Sequence, residues 1–304
     1  MNRIQQQWQE YRGQRSIGRQ LLDFLIHFRL HYQLGILSGG YLLAGLFNPS
    51  PDWGTYWSQF INVHVILFGT ATVYNSFWDK DEGAIGGLQQ PPPMQSWMWW
   101  AGWILQLGGV FWAMTVSWLY LGIYVFSAIL FWLYSTPLAR WKSHPIKSLW
   151  AIALSTGTNS FLLGYLASGH LHVSITAITV ALGVALILVS MYPISQLFQV
   201  EEDRKRGDRT FAVVYGMKGV RWFYHGCYGL GLLGISYGLA GISTGMGITF
   251  GIAALIGGGF TSYISWNLEG RDDEYPMVMR IKYAASALFN LFIITMMVVI
   301  HGLI

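Results

Sequence analysis

Apolar residues in this chain come in long runs, and the polar ones are confined to the gaps between them. Nine runs recur, approximately Leu30 to Phe47, Tyr56 to Trp78, Trp97 to Val116, Leu119 to Pro137, Leu149 to Ala167, Val173 to Phe198, Trp222 to Leu239, Ile248 to Trp266, and Tyr283 to Ile304. About 20 apolar residues in a helix cross a bilayer core of about 30 Å, and in lipid a helix satisfies its own backbone polar groups. The expected fold is therefore all-α: one polytopic membrane domain over residues 1–304 with about nine transmembrane helices, led by a basic segment at 1–28. No charge marks the boundary between the third and fourth runs. That boundary rests on total length and on the region Ser117 to Gly122.

The charges test this count. With the N-terminus inside, nine spans put the connections after spans two, four, six and eight on the cytoplasmic side, where Lys and Arg are expected to collect. Arg3, Arg12, Arg15, Arg19 and Arg29 precede or open the first span, Lys80 follows the second, and Arg140, Lys142 and Lys147 follow the fourth. Arg204, Lys205, Arg206, Arg209, Lys218 and Arg221 follow the sixth, and Arg271, Arg280 and Lys282 follow the eighth, which accounts for all 18 basic residues. A wrong count would scatter some of them to the other side. The expected location is thus the inner membrane, with the N-terminus and the charged loops cytoplasmic. Among the acids only Asp52 falls outside.

Composition agrees. The chain is 53% apolar and 11% charged, against about 25% charged in soluble domains. The net charge of +4 does not point to nucleic acid, because no soluble basic domain carries it. A single cysteine, Cys227, excludes an intramolecular disulfide and a multi-thiolate metal site. The first twenty residues lack the apolar core and cleavage site of a secretory signal and are expected to be retained. Glycines such as Gly226, Gly229, Gly231, Gly234 and Gly257 to Gly259 read as helix contacts in lipid. Asn62 and His64 in the second span read as bonds between helices.

Two acidic clusters sit four spans apart. At the inner end of the second span, Asn75 and Asp79 lie one helical turn apart, with Asp81 and Glu82 beyond; at the inner end of the sixth, Gln199 and Asp203 repeat the spacing beside Glu202. Carboxylates placed at the edge of a membrane mark function. Mg²⁺ supplies a reason, because it takes oxygen ligands from one or two carboxylates and from substrate phosphates. Between the clusters, YSTPLARWKSHP after the fourth span offers Tyr134, Arg140 and Lys142, which suit phosphate oxygens.

The arrangement resembles the UbiA superfamily of nine-helix prenyltransferases. Asn75 and Asp79 match its first motif, NxxxDxxxD, and Asp203 matches the last acid of the second, DxxxD. Gly207 and Thr210 match the G-x-x-T segment that follows, and Tyr134, Ser135, Pro137, Arg140 and Lys142 match the loop between the motifs. Arg29 with His31 resembles the basic motif that opens the first span. Three familiar carboxylates are replaced: Ser76, Gly83 and Gln199 stand where the family usually has Asp.

The resemblance implies Mg²⁺-dependent transfer of a prenyl group from an isoprenoid diphosphate to a lipophilic acceptor. Asp79, Asp203, Arg140 and Lys142 would be catalytic. Asn75, Asp79, Asp81, Glu82, Glu202 and Asp203 would hold metal, while Arg29, Tyr134, Asn159 and Tyr192 would bind substrate. Phe77, Trp78 and Tyr192 are the candidate aromatic faces for an allylic cation. The alternatives are a membrane terpene cyclase of the same superfamily and, in another class, a transporter gated by the inner-face charges. Acceptor, chain length and oligomeric state stay open.

Overall fold

The structure is a computed structural model, and it describes residues 16–79 and 83–302. Among these residues it is helical throughout, with one isolated bridge between Ile85 and Leu88 in place of any strand. Each of the nine apolar runs coincides with a helical segment. In chain order the helices are α1 (Ile17–His27), α2 (Leu30–Gly35), α3 (Gly39–Ala44), α4 (Trp53–Ile61), α5 (Phe68–Asp79), α6 (Ser96–Ala113) and α7 (Trp118–Ser135). They continue with α8 (Pro145–Ile152), α9 (Asn159–Ala167), α10 (Ile175–Met191), α11 (Val200–Arg206), α12 (Phe211–Ile242), α13 (Thr244–Trp266) and α14 (Tyr275–His301). Among the described residues, four segments are individually long and apolar enough to cross a membrane: Trp118–Ser135, the apolar part of Ile175–Arg206, Thr244–Trp266 and Asp272–His301.

Two further spans are composite. A π-helical turn, Asn62–Leu67, joins α4 to α5, and another, Ala153–Thr158, joins α8 to α9. Such turns insert an extra residue and often accompany functional sites. The first span departs from the expected single helix. It breaks between α2 and α3 and ends in a 3₁₀ turn, Gly45–Phe47. Close packing follows the break: a Cβ on Gly39 would lie 2.6 Å from the Phe289 ring, and one on Gly40 would lie 2.8 Å from Val184. Ser117 caps α7, its hydroxyl accepting from the Tyr120 amide at 3.1 Å, which fixes the boundary that charge left unmarked.

The glycine pattern is only partly used for packing. Gly183 and Gly231 face each other so closely that a Cβ on Gly231 would meet the Gly183 carbonyl at 2.7 Å. Gly226, Gly229, Gly257 and Gly259 have nothing within 4 Å of such a Cβ. Asn62 is buried as a connector: it donates to the Gly109 carbonyl at 3.0 Å and accepts from the Tyr124 hydroxyl at 3.0 Å. That bond set ties spans two, three and four. His64 bonds the Phe60 carbonyl within its own span.

Loops segregate by end. At one end Asn48 donates to the Ser168 carbonyl, His170 bonds the Phe47 carbonyl, and the Trp53 ring lies edge-on to His301. At the other end Arg29 reaches Gly86, Gln199 reaches Ala84, and the Arg209 amide reaches the Ser143 carbonyl. The charged connections therefore gather at a single end of the bundle, as nine alternating spans require.

Candidate active site

A cavity of about 430 Å³ opens among the loops of the charged end and runs between the helices. Asn75, Asp79, Asp203, Lys142, Arg29, Tyr134 and Tyr192 all line it. Helical spacing explains the first pair. Asn75 and Asp79 lie one turn apart at the end of α5, and the Asn75 amide donates to Asp79 Oδ2 at 2.8 Å and to Ser135 Oγ at 3.2 Å. Lys142, on the loop after α7, forms an ion pair with Asp79 in which the two side chains are 12% and 7% exposed.

The second acidic helix end is shaped by a turn. Gly207 closes α11 with φ of 76°, a left-handed conformation that costs glycine little. The reversed chain brings Asp208 and Thr210 back over α11. There the Thr210 hydroxyl donates to Asp203 Oδ2 at 2.9 Å. This is the physical content of the G-x-x-T segment: one residue to turn the chain, and one to hold the acid.

Burial perturbs the charged groups of these loops. Asp203, in the polar α11 beyond the apolar span, is pushed up to about 6, chiefly by burial, with Thr210 pulling the other way. Lys142 is pushed down to about 8, again chiefly by burial, while Asp208 and Asp203 oppose the shift. Asp203 thus ionises reluctantly, and Lys142, although paired with Asp79, holds its proton less firmly than a free lysine. A cation beside Asp203 would favour its charged form, as a bound anion would favour that of Lys142.

The other expected residues are placed as follows. Arg29 and Arg140 are the only non-glycine residues with positive φ among the described residues, at 50° and 43°, a conformation that carries strain outside glycine. Arg29 donates to Ser76 Oγ at 2.8 Å and to the Gly86 carbonyl at 3.1 Å. Arg140 does not line the cavity; its guanidinium grips the Asp208 carboxylate through bonds of 2.9 to 3.1 Å. Tyr134 and Tyr192 share a hydroxyl hydrogen bond of 2.8 Å. Asn159 stands apart from the cavity wall and donates to Ser127 of α7 at 2.9 Å. Glu202 is paired with Arg206 and also lies outside the wall. Asp81 and Glu82 lie outside the described residues.

Of the expected aromatic faces, Tyr192 lines the cavity but Phe77 and Trp78 do not. Phe77 packs against Trp78 and Trp99 on the opposite side of the second span. Helix geometry decides this for Phe77, which lies two positions past Asn75 and points away from the face that Asn75 and Asp79 share. Phe68 and Phe131 line the cavity instead.

The three missing carboxylates each leave a structural trace. Ser76 accepts from Arg29, Gln199 donates to the Ala84 carbonyl at 3.0 Å, and a Cβ at Gly83 would lie 3.4 Å from a carboxylate oxygen of Glu202. Glu202 thus stands where a side chain at position 83 would reach. Sequence reasoning missed Asp208, Arg206, Tyr32 and Lys282, all on the cavity wall. Asp208 follows Asp203 by five residues, which is no helical repeat, and only the left-handed turn at Gly207 reveals it. Lys282 was hidden among the topology-determining charges.

The donor set fits Mg²⁺. Asp79 and Asp203 offer hard oxygen ligands on the wall of one cavity. No group of three His, Cys, Asp or Glu able to hold a metal occurs among the described residues. A Mg²⁺ ion held here would therefore complete its shell with water and substrate phosphate oxygens, which is its usual habit.

Comparison with known proteins closes the description. The sequence profile of the UbiA prenyltransferase family matches residues 33–293. No curated protein sequence matches. Among solved structures, a UbiA homologue from Archaeoglobus fulgidus bound to GPP and Mg²⁺ is 16% identical with a TM-score of 0.71, covering 90% of this chain and 99% of that one. The same homologue bound to DMAPP and Mg²⁺ gives 16% and 0.67 over 91% and 99%. A digeranylgeranylglyceryl phosphate synthase gives 18% and 0.61 over 93% and 99%. At such identities these likenesses establish the fold, a UbiA-like helical bundle. The family match spans most of the length, and the chain belongs to the UbiA prenyltransferase family.

Proposed function

We propose that the protein transfers a prenyl group from an isoprenoid diphosphate to a lipophilic acceptor, with Mg²⁺ held between Asn75 and Asp79 on one side and Asp203 on the other. One observation carries this reading: the two acidic helix ends wall a single cavity whose polar mouth holds Lys142 and whose depth is apolar, lined by Phe68, Phe131, Val184 and Phe289. A molecule with a charged head and a hydrocarbon tail has that shape. The Archaeoglobus fulgidus homologue binds such molecules with Mg²⁺, and the shared fold supports a similar use of the cavity here.

When bound, Mg²⁺ would neutralise charge on the diphosphate leaving group. The chain's own residues do the rest. Lys142 meets the departing diphosphate as its allylic C–O bond breaks and the electron pair leaves with oxygen. This is stabilisation by a pre-placed charge. Arg29, held by Ser76 and Gly86, and Arg206 add positive charge at the same mouth. Arg140 orients Asp208 rather than substrate. The bond between Tyr134 and Tyr192 holds both rings against the cavity, where Tyr192, Phe68 and Phe131 exclude water and offer π faces to the cationic carbon. The acceptor then forms the new bond to that carbon and releases a proton.

We place the charged end at the cytoplasmic face of the inner membrane, a reading that the clustering of its basic residues supports. Incubation of purified protein with Mg²⁺ and prenyl diphosphates of several lengths tests the proposal. Diphosphate release that requires Mg²⁺ and is lost in Asp79→Ala and Asp203→Ala supports it. Release unaffected by both substitutions sinks it.

A further inference from the structure

Helix α1 (Ile17–His27) lies outside the residues that the family profile matches, 33–293, and has no part in the proposed chemistry. Its free side is apolar. Ile17, Leu21, Leu22 and Leu25 are 78%, 49%, 46% and 56% exposed, and their spacing sets them on one side of the helix. Asp23, Phe24 and His27 are buried on the other. There the Phe24 ring meets Phe28 edge-on and packs against Trp97, whose indole donates to Gln20 at 3.1 Å. At the far end His27 donates to the Pro92 carbonyl at 2.9 Å, Arg29 to the Gly86 carbonyl and His31 to the Gly87 carbonyl. The helix is thereby fixed to the loop after the second span, and its apolar side has one set direction.

An apolar stripe open to water is unfavourable, and the place of α1 in the fold indicates what covers it. Its 11 residues reach about 16 Å, roughly half of a bilayer core, so the helix does not span. Trp97, which holds it, opens the third span, and indole rings favour the membrane edge. Further along the same face of that span, Trp100 and Ile104 are 62% and 70% exposed, where a membrane span meets lipid. The free side of α1 therefore adjoins a lipid-facing surface at the depth of the headgroups.

Charge adds a preference. Residues 1–19 contain four arginines and one acid, Glu10, and the acid of α1 itself, Asp23, is buried and paired with Arg19 at 3.4 Å. Basic residues beside an apolar interfacial stripe attract anionic lipids. We propose that α1 is a membrane-surface anchor: it lies in the plane of the leaflet at the charged end, sets Ile17, Leu21, Leu22 and Leu25 among the upper acyl carbons, and takes acidic phospholipids as its partners.

Fluorescence quenching of the full chain in nanodiscs of mixed phosphatidylglycerol and phosphatidylcholine tests this. Leu21→Cys, Leu25→Cys and Lys205→Cys, each in a Cys227→Ser background that removes the only cysteine, are labelled with bimane. Lys205, exposed on the polar α11, reports water. A nitroxide near the top of the lipid acyl chain should quench both α1 sites about threefold or more above Lys205, and iodide should show the reverse order. Carried on phosphatidylglycerol, the nitroxide should quench the α1 sites about twofold more than when carried on phosphatidylcholine, and Arg12→Gln, Arg15→Gln and Arg19→Gln together should remove the difference. Iodide quenching at Leu21 and Leu25 equal to that at Lys205 overturns the proposal, because α1 would face water. Quenching by neither probe also overturns it, since residues 1–15 or a second copy would then cover the stripe. Equal quenching by the two labelled lipids, with all arginines in place, overturns the assignment of acidic phospholipids as partners.

Discussion

Lys142 and Asp79 form a buried ion pair that ties the loop after the fourth span to the inner end of the second. The pair joins the two parts of the site that sequence motifs mark separately, and it places a cation beside the carboxylate proposed as a metal ligand. A metal–diphosphate complex bound there would take Asp79 for itself and leave Lys142 facing phosphate.

Removing one member of a buried pair costs about 3 to 5 kcal/mol, because the other charge stays behind unpaired. Asp79→Asn and Lys142→Met should each lower the melting temperature in detergent, and the double variant should melt above either single one. Activity should be lost in all three. A double variant that melts at the sum of the two losses would show that the charges do not interact.

The shifted groups predict a bell-shaped profile of kcat/KM against pH. Lys142 grips an anion only when protonated, so this limb is present below about 8 and lost as pH rises through it. Asp203 holds a cation only when ionised, so its limb is present above about 6 and lost as pH falls through it. Lys142→Arg should retain activity at alkaline pH and move the upper limb out of range. Steady-state rates from pH 5 to 9, with about that span covering both groups, check the outcome.

Thr210 isolates one cause of the Asp203 shift. Its hydroxyl bond favours the ionised acid and opposes burial. Thr210→Val should therefore raise the acid limb of the profile and weaken Mg²⁺ activation at neutral pH, while Thr210→Ser should change neither. An unmoved acid limb in Thr210→Val would remove Asp203 from the rate-determining ionisation.

Arg140 acts through Asp208, which it holds with two nitrogens. Arg140→Gln and Asp208→Asn should then lower kcat/KM by similar factors, and the double variant should lose little more than either. Additive losses measured in that cycle would instead give Arg140 a contact of its own with substrate.

Packing makes a contrast available on two glycines. A Cβ at Gly157 would lie 2.5 Å from the Ala185 backbone, whereas one at Gly122 would meet nothing within 4 Å. Gly157→Leu should cost about 1 to 3 kcal/mol or more by overpacking and reduce folded yield. Gly122→Leu should leave yield and melting unchanged by size-exclusion and thermal assays.

The sequence by itself determined the nine helical runs, the end of the bundle at which charge collects, and the pairing of Asn75 with Asp79. Each of these is local: lipid demands apolar runs of fixed length, and helical spacing puts residues four apart on one face. Tertiary structure alone decided which of the marked residues share a cavity. Asn159 and Arg140 have the right chemistry but bond elsewhere, and Phe77 and Trp78 face the wrong way. Asp208 and Lys282, unmarked by spacing, are brought in by a left-handed turn at Gly207 and by the contact of the ninth span with the first. A side chain's neighbours across helices depend on rotation, kinks and close approach of backbones, and those quantities are set by the whole bundle rather than by any one segment.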